Sequence, residues 1–355
     1  MGMGKKILFI TGSMNQTSQM FQIAGKLPEY DCWFSQMFSD FPLVRYLNNK
    51  TSLLDKTIIS RPHRKKAEAF LRSHGCNIDY EARLNTYDLV VCCSDLILPA
   101  KLRAIKTIWV QEGMIDRVTF LSKVVKALKA SPTLCFNTSL NGSTNKCDLY
   151  CAASEGYKQY ISRMGTDIDK VYVTGMLNYD NAAQYLDNDF PYHDYIMVAT
   201  TDMRETARPE NRVKFIKHCV AIAGGRPLLF KLHPNENFKR AIKEIEQNTP
   251  KDTLIFTEGN TSHMIANCLE LITQYSTVVY TGIALGKKVH SWFDVNELYR
   301  LAPLQNGGTS ARNIAGICRA YVEFKGSGQE FIQSFPYPSA TPVQYYKEKE
   351  SMYAG

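Results

Sequence analysis

Short apolar runs alternate with longer mixed segments along most of this 355-residue chain. Runs of four to eight apolar residues are typical of buried strands, and the segments between them have the length of helices. This alternation predicts an α/β protein whose parallel sheets are covered by helices on both faces. The first set of strand-like runs covers residues 7–11, 89–93, 107–110, 149–152 and 170–173. The second set covers residues 195–199, 227–231, 253–256, 269–272 and 288–292.

A polar stretch rich in Asn and Asp, near residues 178–194, separates the two sets of runs. Two such sets predict two Rossmann-like domains facing a central cleft. We place the N-terminal domain at residues 1–185 and the C-terminal domain at residues 186–320. The remaining segment, 321–355, is rich in aromatic residues, and we expect it to pack back on the N-terminal domain.

Composition supports a globular protein with a full core, because 45% of the residues are hydrophobic and 21% are charged. No run of eighteen apolar residues suggests a transmembrane helix. The apolar run at residues 7–10 is too short for a secretory signal and is typical of a first strand. Without an export signal, the ten scattered cysteines favour reduced thiols over disulfides. These features indicate a cytoplasmic protein.

The placement of the positive charges is more informative than the net charge of +8. Lys123, Lys126 and Lys129 alternate with apolar residues, which predicts an amphipathic helix with a basic face. Such a face is either simply solvated or in contact with an anionic surface, such as the inner face of a membrane or a phosphate-bearing glycolipid. No combination of basic and aromatic residues typical of nucleic-acid binding is evident.

In the second domain, polar residues follow two of the strand-like runs. The run at 227–231 ends in Lys231 and is followed by His233 and Pro234. The run at 269–272 is followed by Ser276 and Thr277. Ligands of open α/β sheets bind at the carboxyl ends of strands, so these residues are candidates for binding a nucleotide phosphate. The alternatives are a histidine in an ordinary loop and simple N-capping of a helix by the two hydroxyl residues.

The first domain offers a carboxylate in a similar position. Glu112 follows the run at 107–110, and a carboxylate at a strand end can accept the proton of an acceptor hydroxyl. The alternative is that Glu112 only caps the following helix. Asp116 is a weaker candidate for the same role. Gly12 and Ser13 follow the first strand and are candidates for the acceptor side, or for a structural turn.

These motifs resemble those of the GT-B glycosyltransferase superfamily. The resemblance is strongest to bacterial enzymes with cytidine-nucleotide donors: the Kdo transferases, the sialyl- and polysialyltransferases, and the CDP-glycerol glycerophosphotransferases. The non-hydrolysing UDP-N-acetylglucosamine 2-epimerases are more distant relatives of the same pattern. The resemblance covers roughly residues 5–320 and depends mainly on the motifs around Glu112, His233 and Ser276.

The resemblance implies roles for these residues. Glu112 would act as the catalytic base or position the acceptor. His233 and Lys231 would neutralise the phosphate of a leaving CMP. Ser276 and Thr277 would hold that phosphate at the start of a helix.

Three departures separate this chain from particular relatives. Gln111 replaces the first acid of the acidic-acidic-Gly motif of sialyltransferases. Asp202 stands where the epimerases carry a histidine, and a carboxylate there could be the nucleophile of a retaining mechanism or part of a surface loop. No His-Gly pair follows a first-domain strand, as it does in the glycerophosphotransferases.

Glu258 is a candidate for recognising cytosine or ribose through its backbone.

We therefore expect a glycosyltransferase that moves Kdo or sialic acid from a CMP-activated donor to a bacterial surface glycan or glycolipid. No Asp-x-Asp-like motif lies in a convincing setting, and we expect neither a metal ion nor another cofactor. The alternatives are a CDP-glycerol glycerophosphotransferase, a UDP-N-acetylglucosamine 2-epimerase-like enzyme, and an inert scaffold that binds nucleotides.

Overall fold

The computed structural model describes residues 4–38, 61–128, 131–135, 137–206 and 208–335. Within these ranges the chain forms two compact units. The first unit comprises the described residues up to Asp180 together with those from Gly308 onwards. The second unit comprises the described residues between Asn181 and Gly307.

The first unit is built on a seven-stranded parallel sheet in the order β3-β2-β1-β4-β5-β6-β7. Its strands are β1 (Lys6–Thr11), β2 (Asp31–Gln36), β3 (Asn77–Ile78), β4 (Leu89–Cys92), β5 (Lys106–Val110), β6 (Leu149–Ala152) and β7 (Val171–Val173). Its helices before the second unit are α1 (Met14–Ala24), α2 (Arg61–Ser73), α3 (Ala100–Arg103), α4 (Phe120–Ala127) and α5 (Glu155–Met164). The central strands β1 and β4 are almost wholly buried, as parallel sheets with two covered faces require.

The second unit is built on a five-stranded parallel sheet in the order β10-β9-β8-β11-β12. Its strands are β8 (Tyr195–Ala199), β9 (Leu228–Lys231), β10 (Leu254–Phe256), β11 (Cys268–Thr273) and β12 (Lys288–His290). Its helices are α6 (Arg212–Ala223), α7 (Phe238–Glu246), α8 (Thr261–Asn267), α9 (Val279–Ala284) and α10 (Val295–Leu301). The strand order reverses between β8 and β11, which makes their carboxyl ends the topological switch point.

The chain then returns to the first unit through α11 (Ser310–Glu323) and α12 (Gly328–Ser334). Ile314, Ile317 and Tyr321 are buried in the same apolar core as β1 and β5. Lys106 fixes the end of α11 by donating a hydrogen bond of 2.8 Å to the carbonyl of Tyr321.

The sequence predicts domain boundaries at residues 185 and 320, whereas the structure divides the chain after Asp180 and before Gly308. The return begins before residue 321 because α11 already belongs to the first core, whereas the density of aromatic residues rises only after it. Residues 336–355, which complete the predicted C-terminal segment, lie outside the described residues.

The predicted α/β class with two Rossmann-like sheets is confirmed, and each of the ten strand-like runs overlaps a strand. Strands β2 and β3 were not predicted from the sequence. The apolar residues of β2 form a run of only three, flanked by Asp31 on one side and by Ser35 and Gln36 on the other, which is shorter than a typical strand signal. In the described ranges, no helix combines the length and the apolar character needed to cross a membrane.

Candidate functional site

The switch point of the second unit contains a buried polar pair. Thr201, which follows β8, donates from Oγ1 to Oε1 of Gln274, which follows β11, over 2.9 Å. Gln274 is fully buried, and its Nε2 has no hydrogen-bond partner among the described residues. Exchanging the oxygen and nitrogen of the amide would leave the oxygen without a partner instead. An unpaired buried amide at a switch point carries an energetic cost, which a hydrogen bond to a bound ligand would offset.

His233 follows β9, the neighbour of β8, and its backbone is held in place on two sides. Its N–H donates to Oε2 of Glu236 over 2.9 Å and lies 3.1 Å from Oγ1 of Thr200. The N–H of Glu236 donates back to the carbonyl of His233 over 3.0 Å, which closes a turn with the exposed Pro234 at its second position. The backbone is therefore fixed, while the side chain of His233 keeps 36% of its surface exposed.

Glu236 and Arg212 form a buried ion pair behind this turn. Both are at least 94% buried, and Arg212 donates from Nη2 to Oε1 of Glu236 and, over 3.2 Å, to the carbonyl of Thr201. The other carboxylate oxygen of Glu236 accepts from Oγ1 of Thr200. The pair thus connects the ends of β8 and β9. Neither residue was predicted from the sequence, where the only signal was a glutamate closing the His-Pro turn.

Asp202 lies beside the imidazole of His233. Its Oδ2 is 3.7 Å from Nδ1 of His233 and accepts a hydrogen bond of 2.9 Å from Nδ2 of Asn235. The backbone N–H of Asn235 donates to Nδ1 of His233 over 3.3 Å. Because Nδ1 accepts this bond, the neutral ring carries its proton on Nε2, which is then a donor for a ligand.

Lys231 and Glu258 lie further along the same edge of the sheet. Lys231 is buried, and its ammonium group donates to the carbonyls of Leu232 and Thr257 over 2.9 and 3.0 Å. These bonds join the end of β9 to the end of β10, and burial lowers the pKa of Lys231. The ammonium group has a third N–H that neither carbonyl uses. Glu258 is exposed directly after Thr257.

Ser276 and Thr277 form the turn that leads into α9. Oγ of Ser276 lies 3.4 Å from the backbone N–H of Val278, and the carbonyl of Thr277 accepts from Tyr280 over 3.1 Å. The N-cap of α9 is Val278, which makes no side-chain capping bond. Ser276 and Thr277 therefore lie two and one positions before the N-cap. Neither is the capping residue that the alternative prediction required.

In the first unit, Glu112 follows β5 and is surrounded by amide groups. Its carboxylate accepts from Nδ2 of Asn15 over 2.7 Å and from Nε2 of Gln16 over 3.0 Å. Its carbonyl accepts from Nε2 of Gln19 over 2.9 Å. Burial raises the pKa of Glu112, and the two amide donors offset this only in part. A carboxylate held by neutral donors with a raised pKa is suited to accepting a proton.

Gly12 and Ser13 connect β1 to α1 and bear on Glu112 indirectly. Ser13 caps α1 by accepting from the N–H of Gln16 over 3.3 Å, and its own N–H donates to Oε1 of Gln16 over 3.1 Å. This capping box fixes the amide whose other end contacts Glu112. Gly12 is buried next to the cap. Ser13 was predicted from the sequence as a site residue, whereas Asn15 and Gln16 were not.

Gln111 and Asp116 have structural partners on either side of Glu112. Gln111 accepts from the N–H of Ala153 over 2.9 Å and donates to the carbonyl of Gly113 over 3.1 Å, which requires an amide rather than a second acid. Asp116 is exposed and accepts from the N–H and Oγ1 of Thr138. The described ranges contain no group of three or more His, Cys, Asp or Glu side chains placed to hold a metal ion.

Helix α4 carries the predicted basic face. Lys123 and Lys126 are exposed, and Lys129 lies outside the described residues. Large apolar side chains are exposed beside them: Phe120 by 83% and Leu128 by 73%. Val125, on the opposite side, packs into a small apolar cluster. The helix is therefore amphipathic as predicted, but its outer surface is partly apolar as well as basic.

No protein-family model and no curated protein matches the chain. Solved structures match its fold. The crystal structure of a UDP-N-acetylglucosamine 2-epimerase has a TM-score of 0.51 at 13% identity, covering 91% of this chain and 98% of that chain. The S. aureus MnaA structure with UDP has a TM-score of 0.53 at 12% identity, covering 91% of this chain and 99% of that chain. This similarity shows a GT-B-like fold.

Proposed function

We propose that this protein is a GT-B glycosyltransferase that moves Kdo or sialic acid from a CMP-activated donor to a bacterial surface glycan or glycolipid. The observation that carries the proposal is the partly exposed imidazole of His233, held beside Asp202 at the same edge of the sheet as the unpaired amide of Gln274. This is where GT-B-like sheets can bind an anionic leaving group. The choice of CMP follows from the sequence resemblance.

On the donor side, His233 would donate its Nε2–H to the departing phosphate, where charge builds up as the glycosidic bond breaks. The third N–H of Lys231 would add positive charge behind it. The turn formed by Ser276 and Thr277 and the free amide of Gln274 would hold the remaining phosphate oxygens. Glu258 would lie at the edge of this site.

Asp202 has two conceivable roles, and its contacts favour one of them. A nucleophile needs a free carboxylate oxygen directed at the sugar. Oδ2 of Asp202 is instead bonded to Asn235 and lies 3.7 Å from His233. Because this oxygen faces the imidazole and the side chain of Asn235, we assign Asp202 to positioning the turn that carries His233.

On the acceptor side, Glu112 would remove the proton from the attacking hydroxyl, with Asn15 and Gln16 holding its carboxylate in place. Gly12 and Ser13 act through the capping box that fixes Gln16. The basic and apolar surface of α4 would contact the anionic membrane that displays a lipid-linked acceptor.

The test is His233→Ala, with the exposed His193→Ala of the same unit as its matched control. Turnover would be measured as CMP release from CMP-Kdo and CMP-sialic acid in the presence of extracted lipid-linked glycans. We expect His233→Ala to lower turnover about a hundredfold or more, and His193→Ala to leave it unchanged. Near-normal turnover in a folded His233→Ala protein would remove His233 from the mechanism.

A UDP-N-acetylglucosamine 2-epimerase is the second candidate, because one compared structure bears that name and another contains UDP. It would act on UDP-N-acetylglucosamine alone, and product analysis would reveal the epimer. Thermal unfolding with CMP, UMP and UDP separates the two readings, since a ligand that binds the native state raises its stability. A shift with UDP only would favour the epimerase. Consumption of CDP-glycerol would instead identify a glycerophosphotransferase.

A further inference from the structure

Asn178 connects a further part of the first unit to the surroundings of Glu112. It lies in a single 3-10 turn, Leu177–Tyr179, shortly after β7. Its Nδ2 donates to Oδ1 of Asn15, a residue 163 positions earlier in the chain. Asn15 in turn donates from Nδ2 to Oε2 of Glu112 over 2.7 Å. Side-chain amides thus join the turn after β7 to the end of β5 through the first turn of α1.

The backbone of Asn178 is fixed by the residues on either side of it. Leu177 packs against the apolar core of the first unit. The buried carboxylate of Asp180 accepts from the N–H of Ser310, at the start of α11, over 3.0 Å. Asn178 therefore lies on a segment that the core and the returning helix hold in place, although its own side chain is exposed.

The donor on Asn178 determines which way the amide of Asn15 points. The NH₂ group of Asn15 faces Glu112, because its Nδ2 lies 2.7 Å from Oε2 and 3.4 Å from the carbonyl oxygen of that residue. An ionised carboxylate only accepts hydrogen bonds, so the oxygen of the Asn15 amide must point the other way. There it accepts from Nδ2 of Asn178. A group at position 178 that only accepted would favour the opposite orientation of Asn15.

Gln16, the second amide that binds the carboxylate, is oriented in the same manner. Its Nε2 donates to Oε1 of Glu112 over 3.0 Å, while its own Oε1 accepts from the N–H of Ser13 over 3.1 Å. Gln19 differs, since it donates to the backbone carbonyl of Glu112, and its Oε1 has no hydrogen-bond partner among the described residues. An orienting donor thus accompanies each of the two contacts to the carboxylate. Of these two donors, Asn178 is the one that belongs to a side chain and can be replaced.

We infer that Asn178 is a positioning residue for Glu112: by donating to Oδ1 of Asn15, it keeps the NH₂ group of Asn15 directed at the carboxylate. Asn178 acts through Asn15 and not on the carboxylate itself. The use of Glu112 as the base for the acceptor hydroxyl rests on the proposed function. The orientation of the amides rests on the hydrogen bonds and is measurable without a substrate.

The orientation of Asn15 bears on the ionisation of Glu112. Burial raises the pKa of Glu112, and the bonds from Gln16 and Asn15 lower it. The thiol of Cys93, after β4, interacts with Glu112 but stays neutral, because burial raises the pKa of this thiol well above its usual range. The side chains that face the carboxylate from α1 are neutral amides. The two amides therefore hold down the pKa of Glu112 against burial, and it should rise if one NH₂ group turned away.

The test is Asn178→Asp, which preserves the shape and replaces the donor by an acceptor. Asn15 should then turn its NH₂ group toward the new carboxylate and its oxygen toward Glu112. The pKa of Glu112 would be measured by NMR of isotope-labelled glutamate carboxyl groups, with Glu112→Gln to assign the signal. We expect this pKa to rise by about one unit, the size of one lost hydrogen bond to a charged group. The acid limb of the pH dependence of transfer should move upward by the same amount, whereas a merely structural defect would lower transfer at every pH.

Two further variants isolate the effect of the amide. Asn296→Asp makes the same chemical change at an exposed position of α10 in the second unit, and it should leave the pKa of Glu112 unchanged. The charge added by Asn178→Asp also acts through space, and Asn15→Ala separates this contribution. In the Asn15→Ala background, Asn178→Asp should raise the pKa of Glu112 by less than half as much, because the amide that transmits the change is gone. Asn15 and Asn178 are both exposed, so these variants should keep the fold.

The outcomes separate this inference from the proposed function. If the pKa of Glu112 is the same in Asn178→Asp as in Asn296→Asp, Asn178 does not position the carboxylate. If the pKa rises equally with and without Asn15, the added charge alone is responsible, and the positioning role is refuted. If the pKa moves as expected but the folded wild type transfers no sugar from either CMP-activated donor, the proposed function fails while the positioning of Glu112 by Asn178 stands.

Discussion

The buried ion pair of Glu236 and Arg212 should determine the stability of the end of the second sheet that carries His233. The sharpest perturbation is Glu236→Gln, which preserves shape and removes the charge. One carboxylate oxygen accepts from Arg212, and the other accepts from the N–H of His233 and from Oγ1 of Thr200. Whichever of the two oxygen positions the new NH₂ group takes, it faces a hydrogen-bond donor, and two donors cannot bond to each other.

The magnitude follows from burial. Removing one partner of a buried ion pair costs about 3–5 kcal/mol. Glutamine retains one acceptor, and Arg212 still contacts Glu210 over 3.1 Å, so we expect the lower end, about 3 kcal/mol. Each 1.4 kcal/mol corresponds to a factor of ten. The opening equilibrium of this region should therefore shift by roughly a hundredfold.

Native-state hydrogen exchange of peptides from β9 and α6 measures this opening directly. The matched control is Glu246→Gln, which makes the same chemical change at an exposed position at the end of α7. The control should lie within about 0.5 kcal/mol of the wild type. If Glu236→Gln exchanges as slowly as the control, the ion pair does not hold this end of the sheet, and the argument for a fixed His233 is refuted.

Three further predictions concern other parts of the chain. Glu112→Gln should lower transfer about 10²–10⁴-fold, because a neutral amide cannot accept the proton of the attacking hydroxyl; near-normal transfer by the folded variant would remove Glu112 from that role. Glu270→Gln should be less stable than the wild type above pH 4.5, because the two carboxylate oxygens of Glu270 contact Arg226 over 2.6 Å and His290 over 2.7 Å. The difference should vanish as the pH falls to about 2, where the depressed pKa of Glu270 lies; a constant difference across the acid titration would be inconsistent with these contacts. Phe120→Ser should reduce co-sedimentation with vesicles containing anionic lipid, and equal sedimentation would exclude α4 from the contact.

The sheets were predictable because their strands are buried on both faces. The runs that became β1 and β8 are apolar without interruption, and such runs are the signal that sequence reading detects. The strand β2 was not predicted because its apolar run is only three residues long and its buried half includes the polar Ser35 and Gln36 beside Phe34. Its place depends on pairing with β1, which is a tertiary fact and leaves no local pattern.

The candidate sites were predictable in position but not in their supporting contacts. Parallel strands bring their carboxyl ends together, so Asp202 and His233 could be expected at one edge. Glu236 could not be linked to Arg212 in advance, because the two are 24 residues apart and look like ordinary surface charges. The same holds for Gln16 and Glu112, which are 96 residues apart.

The return of the chain at Gly308 affects the order in which a growing polypeptide can fold. The described part of the second unit is continuous in sequence, so its five strands have all been synthesised by residue 307. The first unit begins earlier but completes its core only with α11 and Phe331, near the end of the described chain. During synthesis on the ribosome, part of the apolar surface of the N-terminal sheet therefore remains exposed until α11 has been made. Chaperone demand during synthesis should fall on the first unit, and a nascent chain stalled before α11 should show protease resistance only in the second.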